Sequence, residues 1–210
     1  MLIQGINLQE IDAIIFDFGG VIIEVNMEMP YHKLLCLSQN PNDDLIKNLK
    51  NLAFSYEIGK INNQDFIDGI KSIIKLNLED KEIQTIWNQM LGNVPSYMGK
   101  LLAHIKQEKR TFILSNTNPI HLEEAKRRFQ ESVKEYSFDS LFEKTYYSHE
   151  IGLHKPDHNI YSYVVKDSNL IPHRTLFIDD NYRNIEEAKK FGLQTILMNP
   201  PMSLESIIFI

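Results

Sequence analysis

Three short apolar runs in this chain each end in polar side chains able to bind or react. Ile14-Ile15-Phe16 leads into Asp17, Thr111-Phe112-Ile113-Leu114 into Ser115-Asn116-Thr117-Asn118, and Leu176-Phe177-Ile178 into Asp179-Asp180-Asn181. Such brief apolar runs suit strands buried on both faces. Helical patterns separate them, and strand alternating with helix is the signature of a parallel, three-layer α/β sheet. In a parallel sheet the carboxyl ends of the strands face the same way, so these clusters converge above one edge, where open α/β sheets carry their chemistry.

The remaining elements follow from the same patterns. Met98, Leu101, Leu102 and Ile105 mark a helix, and Leu122, Ala125 and Phe129 mark another helical face. A strand is expected near Lys144 to Tyr147, a helix from about His158 to Lys166, a helix from Ile185 to Phe191 ending at Gly192, and a last strand from Thr195 to Met198. Between Met27 and Met90 the pattern is helical instead. Phe66, Ile67, Ile70, Ile73 and Ile74 form one stripe, and Ile83, Ile86, Trp87 and Met90 repeat it. Asn62, with Asp65 three residues on, reads as an N-cap with an acidic first turn, and Pro41 separates two earlier helices, about Tyr31 to Leu37 and Leu45 to Phe54. The expected organisation is a Rossmann-like α/β core over 1–26 and 93–210, interrupted by an α-helical bundle over 27–92.

A chain of 210 residues can bury roughly 70% of its unfolded surface, enough for a core carrying one insertion. Its 22 basic and 28 acidic side chains, without a basic block, argue against a nucleic-acid or anionic-membrane footprint. Met1 to Glu10 shows neither a basic n-region nor an apolar h-region, and no stretch approaches the ~20 apolar residues that span a bilayer, so a cytoplasmic protein is expected. The single cysteine, Cys36, can form no internal disulfide and is expected to be a small buried residue. Trp87 and the methionines on helical stripes are expected in the core, and Lys126-Arg127-Arg128 on a solvated helical face.

Asp17 and Asp180, brought from separate strands, would repel each other within ~4 Å unless a cation lay between them. All-oxygen ligation without Cys or His clusters favours Mg²⁺, held by one or two carboxylates together with substrate phosphate. Lys155 in His154-Lys155-Pro156 supplies a compact positive charge, and Ser115 with the following backbone N–H groups can donate to phosphate oxygens. Each cluster alone also has a plain structural use: Ser115 to Asn118 can start a helix, and Asp179-Asp180 can cap one. Together they are the parts of a phosphoryl-transfer site with an aspartate nucleophile.

Four motifs in this order make the chain similar to the haloacid dehalogenase-like hydrolases: Asp17 to Val21, Ser115-Asn116, Lys155-Pro156, and Asp179-Asp180 with Asn184. The resemblance covers nearly the whole chain, and residues 27–92 match the helical cap that one branch inserts after its first motif. It implies that Asp17 is the nucleophile and a Mg²⁺ ligand, that the Gly19 carbonyl and Asp180 are further ligands, and that Asp179 is a direct or water-mediated one. Ser115, the Asn116 backbone and Lys155 would hold the phosphate, and Asn184 would support Lys155 or the metal shell. Position 19 departs from the common pattern, in which an aspartate serves as general acid and base, a role worth roughly 10²–10⁴ in rate. The Gly19-Gly20 form resembles a subgroup similar to small bacterial sugar-phosphate phosphatases. Proton donors to replace the missing acid are sought among His149, His154, Thr117 and ordered water; by itself each histidine reads as an exposed loop residue.

The expected function is a Mg²⁺-dependent phosphatase of small phosphorylated metabolites, sugar phosphates among them, acting as a monomer or weak homodimer. The alternative is a catalytically weak or inactive member that binds phosphate or metal. A phospho-receiver domain places its acidic pair first in the chain, whereas here it comes last. Dehalogenation does not need the acidic fourth motif.

Overall fold

The computed structural model of the chain describes residues 2–3, 6–39, 41–199 and 203–208. Among them, Leu2–Ile3 (β1) and Ile6–Asn7 (β2) form a small antiparallel pair, and five strands form a wholly parallel sheet. These are Ala13–Phe16 (β3), Arg110–Ser115 (β4), Lys144–Tyr147 (β5), Thr175–Asp179 (β6) and Gln194–Leu197 (β7), in the spatial order β5-β4-β3-β6-β7. Ile15 of β3 lies opposite Phe112 on one side and Phe177 on the other. All four residues of β3 are buried, as the run without alternation implies for a strand covered on both faces.

The helices that cover the sheet are Met98–Glu108 (α5), Pro119–Val133 (α6), His158–Asp167 (α8), Tyr182–Phe191 (α9) and Leu204–Ile208 (α10). Ile14 and Phe16 point to one face and join Leu102, Ile105 and Phe129 from α5 and α6, with Leu204 from α10. Ala13 and Ile15 point to the other and join Ile160, Val164 and Ala188 from α8 and α9. The result is a three-layer α/β sandwich. Each buried Ile or Phe in these layers contributes roughly 1.5–3 kcal/mol of transfer free energy.

Between β3 and α5 the chain forms Met29–Leu37 (α1), Asp43–Glu57 (α2), Asn63–Ile74 (α3) and Asp80–Trp87 (α4), followed by a 3₁₀ turn over Asn88–Met90. Their apolar stripes meet in a separate cluster containing Leu34, Leu49, Phe66, Ile70 and Trp87. Asn62 caps α3 as its spacing with Asp65 implies, in a reciprocal capping box. α2 runs one turn beyond the expected end at Phe54, because Tyr56 is still on the buried stripe. The passages into and out of this helical unit pair with each other. Gly92 donates to Glu24 O at 2.7 Å, Glu24 to Asn93 O at 3.0 Å, and Asn26 to Met90 O at 2.7 Å.

Two surface expectations are corrected. Cys36 is exposed, since Tyr31 and Leu34 occupy the inward stripe of α1 and position 36 falls on the opposite side. Arg127 does face solvent, but Lys126 is half-buried over the rings of Phe138 and Tyr147, and Arg128 turns inward and donates to the carbonyls of Asn88, Leu91 and Gly92. The pairs β1–β2, the short helix Ser148–Ile151 (α7) and α10 had no counterpart in the sequence reading. The range expected for the core extends at its ends to residues outside those described.

Candidate active site

β3 leads to β4 on one side and the neighbouring β6 leads to β7 on the other, so the connections diverge and a crevice opens at the carboxyl ends of β3 and β6. Asp17 stands there, with its backbone N–H donating to Ile178 O at 2.8 Å. Its Oδ1 accepts from the Phe18 N–H at 2.7 Å and lies 3.0 Å from Lys155 Nζ. Lys155 comes from the loop after α7 and is 1% exposed. Its ammonium also donates to Leu114 O at 2.8 Å and to Asp179 Oδ2 at 2.7 Å, so its three hydrogens are taken by two carboxylates and a carbonyl. Burial works against this charge, but Asp17 and Asp179 carry the Lys155 ammonium above its ordinary value.

Asp179 closes β6 and is wholly buried. Its Oδ1 accepts from the Asn181 N–H at 2.7 Å, and Asn184 Nδ2 lies 3.0 Å from both its oxygens. Asp180 is exposed instead. Its carboxylate occupies the space beside Gly20, where an added Cβ would overlap it, and Gly20 has φ +73°. Glycine is therefore required there twice over, for its backbone angle and for the approach of the acid.

Oxygens of Asp17, Asp179 and Asp180 lie within 4.8 Å of one another. Burial pushes the Asp17 carboxyl up, with Lys155 opposing and Asp179 adding to the rise. Although Asp180 is exposed as a residue, its carboxyl lies against Gly20, and partial desolvation there, then Asp179, raises it as well. Three carboxylates this close, with no Cys or His in the cluster, are a donor set suited to a hard divalent cation such as Mg²⁺.

On β4, Ser115 is buried at the strand end. The Asn116 side chain is locked onto the Lys155 backbone: its Oδ1 accepts from the Lys155 N–H at 2.9 Å and its Nδ2 donates to Lys155 O at 2.9 Å. The second and third motifs are thus tied together through a side chain, which leaves the Asn116 backbone to serve a ligand. The Thr117 N–H is spent on Ser148 Oγ at 2.9 Å.

A cavity of about 230 Å³ opens over these groups and is lined by Asp17, Gly19, Ser115, Asn116, Lys155, Asp180 and Asn184. Asp179 stands behind that lining. Of the proton donors considered, Thr117 lines the cavity, whereas His149 and His154 do not. Nor are the histidines exposed loop residues. His149 lies on α7 with its Nδ1 3.0 Å from Thr117 O, and burial holds its imidazole below the usual value. His154 is clasped between Asn116 and Glu57.

Two ionisable lining residues carry no motif in the sequence. Glu57 reaches the cavity on the extra turn of α2, and His121 comes from the start of α6. His121 stacks on Trp87 with ring centroids 5.0 Å apart. Its Nε2 donates to Trp87 O at 3.0 Å, and its Nδ1 accepts from Asn118 Nδ2 at 3.1 Å, because Asn118 Oδ1 already receives the His121 N–H. A helical-stripe count cannot flag either residue, since both lie off the apolar stripes or among them for reasons of contact.

A family model for haloacid dehalogenase-like hydrolases matches residues 11–192, from the start of the sheet to the end of α9. The chain belongs to this family. Among the relatives of this hydrolase is the D-ribitol-5-phosphate phosphatase of Bacteroides thetaiotaomicron, 27% identical over 188 residues, 88% of this chain and 90% of that protein. A HAD family enzyme of the same organism, solved in complex with magnesium and inorganic phosphate, superposes with a TM-score of 0.83 at 27% identity, covering 94% and 99% of the two chains. A predicted HAD-like family hydrolase from Porphyromonas gingivalis gives 0.83 at 28% identity, covering 95% and 97%.

Proposed function

We propose that this hydrolase is a Mg²⁺-dependent phosphatase of small phosphorylated metabolites, polyol and sugar phosphates among them, with Asp17 as the nucleophile. The observation that carries the reading is the buried Lys155 ammonium shared by Asp17 at 3.0 Å and Asp179 at 2.7 Å, at the mouth of a cavity that Asp180 also lines. The phosphatase named among the relatives and the phosphate and magnesium in a related structure support the same chemistry.

In this reading Oδ1 of Asp17 is anchored by Phe18 N–H and Lys155, which sets the carboxylate for attack by its other oxygen. Attack at phosphorus forms the Asp17–phosphorus bond and breaks the bond to the metabolite's oxygen, which takes a proton from water in the cavity, and a second water then cleaves the aspartyl-phosphate to return the carboxylate and inorganic phosphate. Ser115 and the Asn116 N–H donate to the phosphoryl oxygens, Lys155, hydrogen-bonded to Asp17, Asp179 and Leu114 O, binds the phosphate through its nearby positive charge, and Asn184 keeps Asp179 oriented toward Lys155. Asp17, Asp180 and the Gly19 carbonyl would hold Mg²⁺, with Asp179 supporting through Lys155 and the shell; when bound, the ion neutralises the clustered carboxylates and the phosphate. Residues 27–92 act as a cap domain over the core of 1–26 and 93–210, closing the cavity and contacting the leaving group. The enzyme works as a monomer or weak homodimer on free metabolites.

Gly19 supports a second reading, a weak or inactive phosphate-binding member. A Cβ at Gly19 would stand 3.1 Å from Val25 Cγ1, so a side chain there would need the valine to give way by a few tenths of an ångström. Hydrolysis of p-nitrophenyl phosphate separates the two readings. The phosphatase turns it over with Mg²⁺, loses that activity to a chelator, and loses it in Asp17→Asn; no turnover above buffer in the wild type would leave the second reading standing.

A further inference from the structure

We propose that Glu57 reads the leaving group: its carboxylate accepts hydrogen bonds from hydroxyl groups and excludes a second negative charge, so the substrate is the monophosphate of an uncharged polyol or sugar. This rests on the phosphatase reading of the same cavity and assigns the residue that selects its substrate.

The argument begins at Asn116. A backbone N–H can only donate, so the Lys155 N–H at 2.9 Å identifies the Asn116 atom facing it as oxygen and the other, 2.9 Å from Lys155 O, as nitrogen. That nitrogen lies 3.1 Å from His154 Nδ1, which must therefore accept. The ring hydrogen is then on Nε2 and is donated to Glu57 Oε2 at 3.0 Å. Phe54, one turn earlier on α2, packs against the same imidazole with centroids 5.1 Å apart. Glu57 is thus held as an acceptor by a chain that starts in the phosphate loop. Its Oε1 takes no hydrogen bond from the described residues and remains for a ligand.

Charge in the cavity is arranged to match. Among the lining residues Lys155 is the single Lys or Arg, and it is committed to the phosphate end with Asp17 and Asp179. The apolar part of the lining is Ile23, Val25, Met27, Met90 and Leu91, and the charged lining group contributed by residues 27–92 is Glu57. A carbon chain carrying hydroxyls finds apolar contact and an acceptor there. A carboxylate or second phosphate would be desolvated beside Glu57 with no cation to pair it. His121 does not supply one, because both its ring nitrogens are spent on Asn118 and Trp87.

The test uses the full-length Asp17→Asn protein with Mg²⁺, which binds without turnover, and two matched probes: a pentitol 5-phosphate and the 5-phosphopentonate that ends in carboxylate. Calorimetric titration is expected to favour the pentitol phosphate by about tenfold or more, and Glu57→Gln, which keeps the size and the His154 contact, to shrink that ratio to within about twofold. Equal affinities in the parent, or a ratio that Glu57→Gln leaves intact, would overturn the assignment. If Glu57→Gln fails to fold, the parent's ratio alone decides. The readout is binding, so it stays separate from the p-nitrophenyl phosphate assay: absent hydrolysis would sink the phosphatase reading while the ratio still judged Glu57.

Discussion

Gly20 and His121 show how much of this site depends on single side chains, present or missing. Gly20→Ala places a methyl group in the volume of the Asp180 carboxylate and forces an L-residue to φ +73°, which costs roughly 1–3 kcal/mol in strain. We expect kcat/KM to fall by about 100-fold through displacement of Asp180. The Mg²⁺ concentration giving half-maximal activity should rise as well, while far-UV dichroism stays native. An unchanged Mg²⁺ dependence would show that the two residues are not coupled. His121 bears on stability. Burial is the main cause that takes its imidazole down to about 4 from the ordinary 6.5, and the carbonyl of Trp87 resists only in part. Folded His121 stays neutral while unfolded His121 protonates first, so its contribution is whole above pH 6.5 and declines as pH falls toward 4. Linkage puts the loss at about 3 kcal/mol across that window. Urea denaturation at a series of pH values checks this, and His121→Gln should flatten the slope between those limits. Neither effect is legible in sequence: a glycine pair suggests a turn, and a lone histidine suggests a loop. Only the position of Asp180, or of Trp87, gives them their meaning.

Among elements, α6 does more than cover the sheet. Its first turn supplies His121 against Trp87, and further along Arg128 grips the carbonyls of Asn88, Leu91 and Gly92 while Ser132 donates to Val94 O at 2.7 Å. These bonds seat the return passage of the helical unit beside Glu24 and Asn26. Arg128→Ala should cost about 2 kcal/mol, since it strips a charged donor from several carbonyls. Amide exchange should quicken at Gly92 and Asn26 before it does in β3. Arg127→Ala, on the exposed side of the same helix, should change neither measurement. Equal effects from both substitutions would mean that Arg128 serves only the helix surface. The basic triplet looks uniform as a sequence, and the helical turn separates its members: successive residues point about 100° apart, so one of three adjacent basic residues can face inward. By contrast, the caps and stripes of α3 and the limits of β5 follow from local pattern, because capping and periodicity involve residues only a few positions apart.

At the scale of the molecule, the helical unit and the α/β core are joined by two paired passages, the Trp87–His121 stack and the Glu57–His154 bond. Ile120 of α6 lies in the hydrophobic cluster of the helical unit. Such a shared interface should make unfolding cooperative. Fluorescence of the single tryptophan, Trp87, reports the helical unit, and far-UV dichroism reports both parts. Their denaturation curves are expected to coincide, and separated midpoints would show a helical unit that melts alone. The sequence by itself determined the five strands of the parallel sheet and the order of their polar ends, because short apolar runs and helical periods are local and burial on both faces leaves them few alternatives. It also carried the four motifs that converge at Asp17. Only the tertiary structure decided that Asp179 is sealed behind Lys155 while Asp180 faces the cavity, that Arg128 turns inward, and that Glu57 meets His154. That last bond joins residues 97 positions apart. Contacts of this span arise where packed elements meet, and no period or spacing within the chain encodes them.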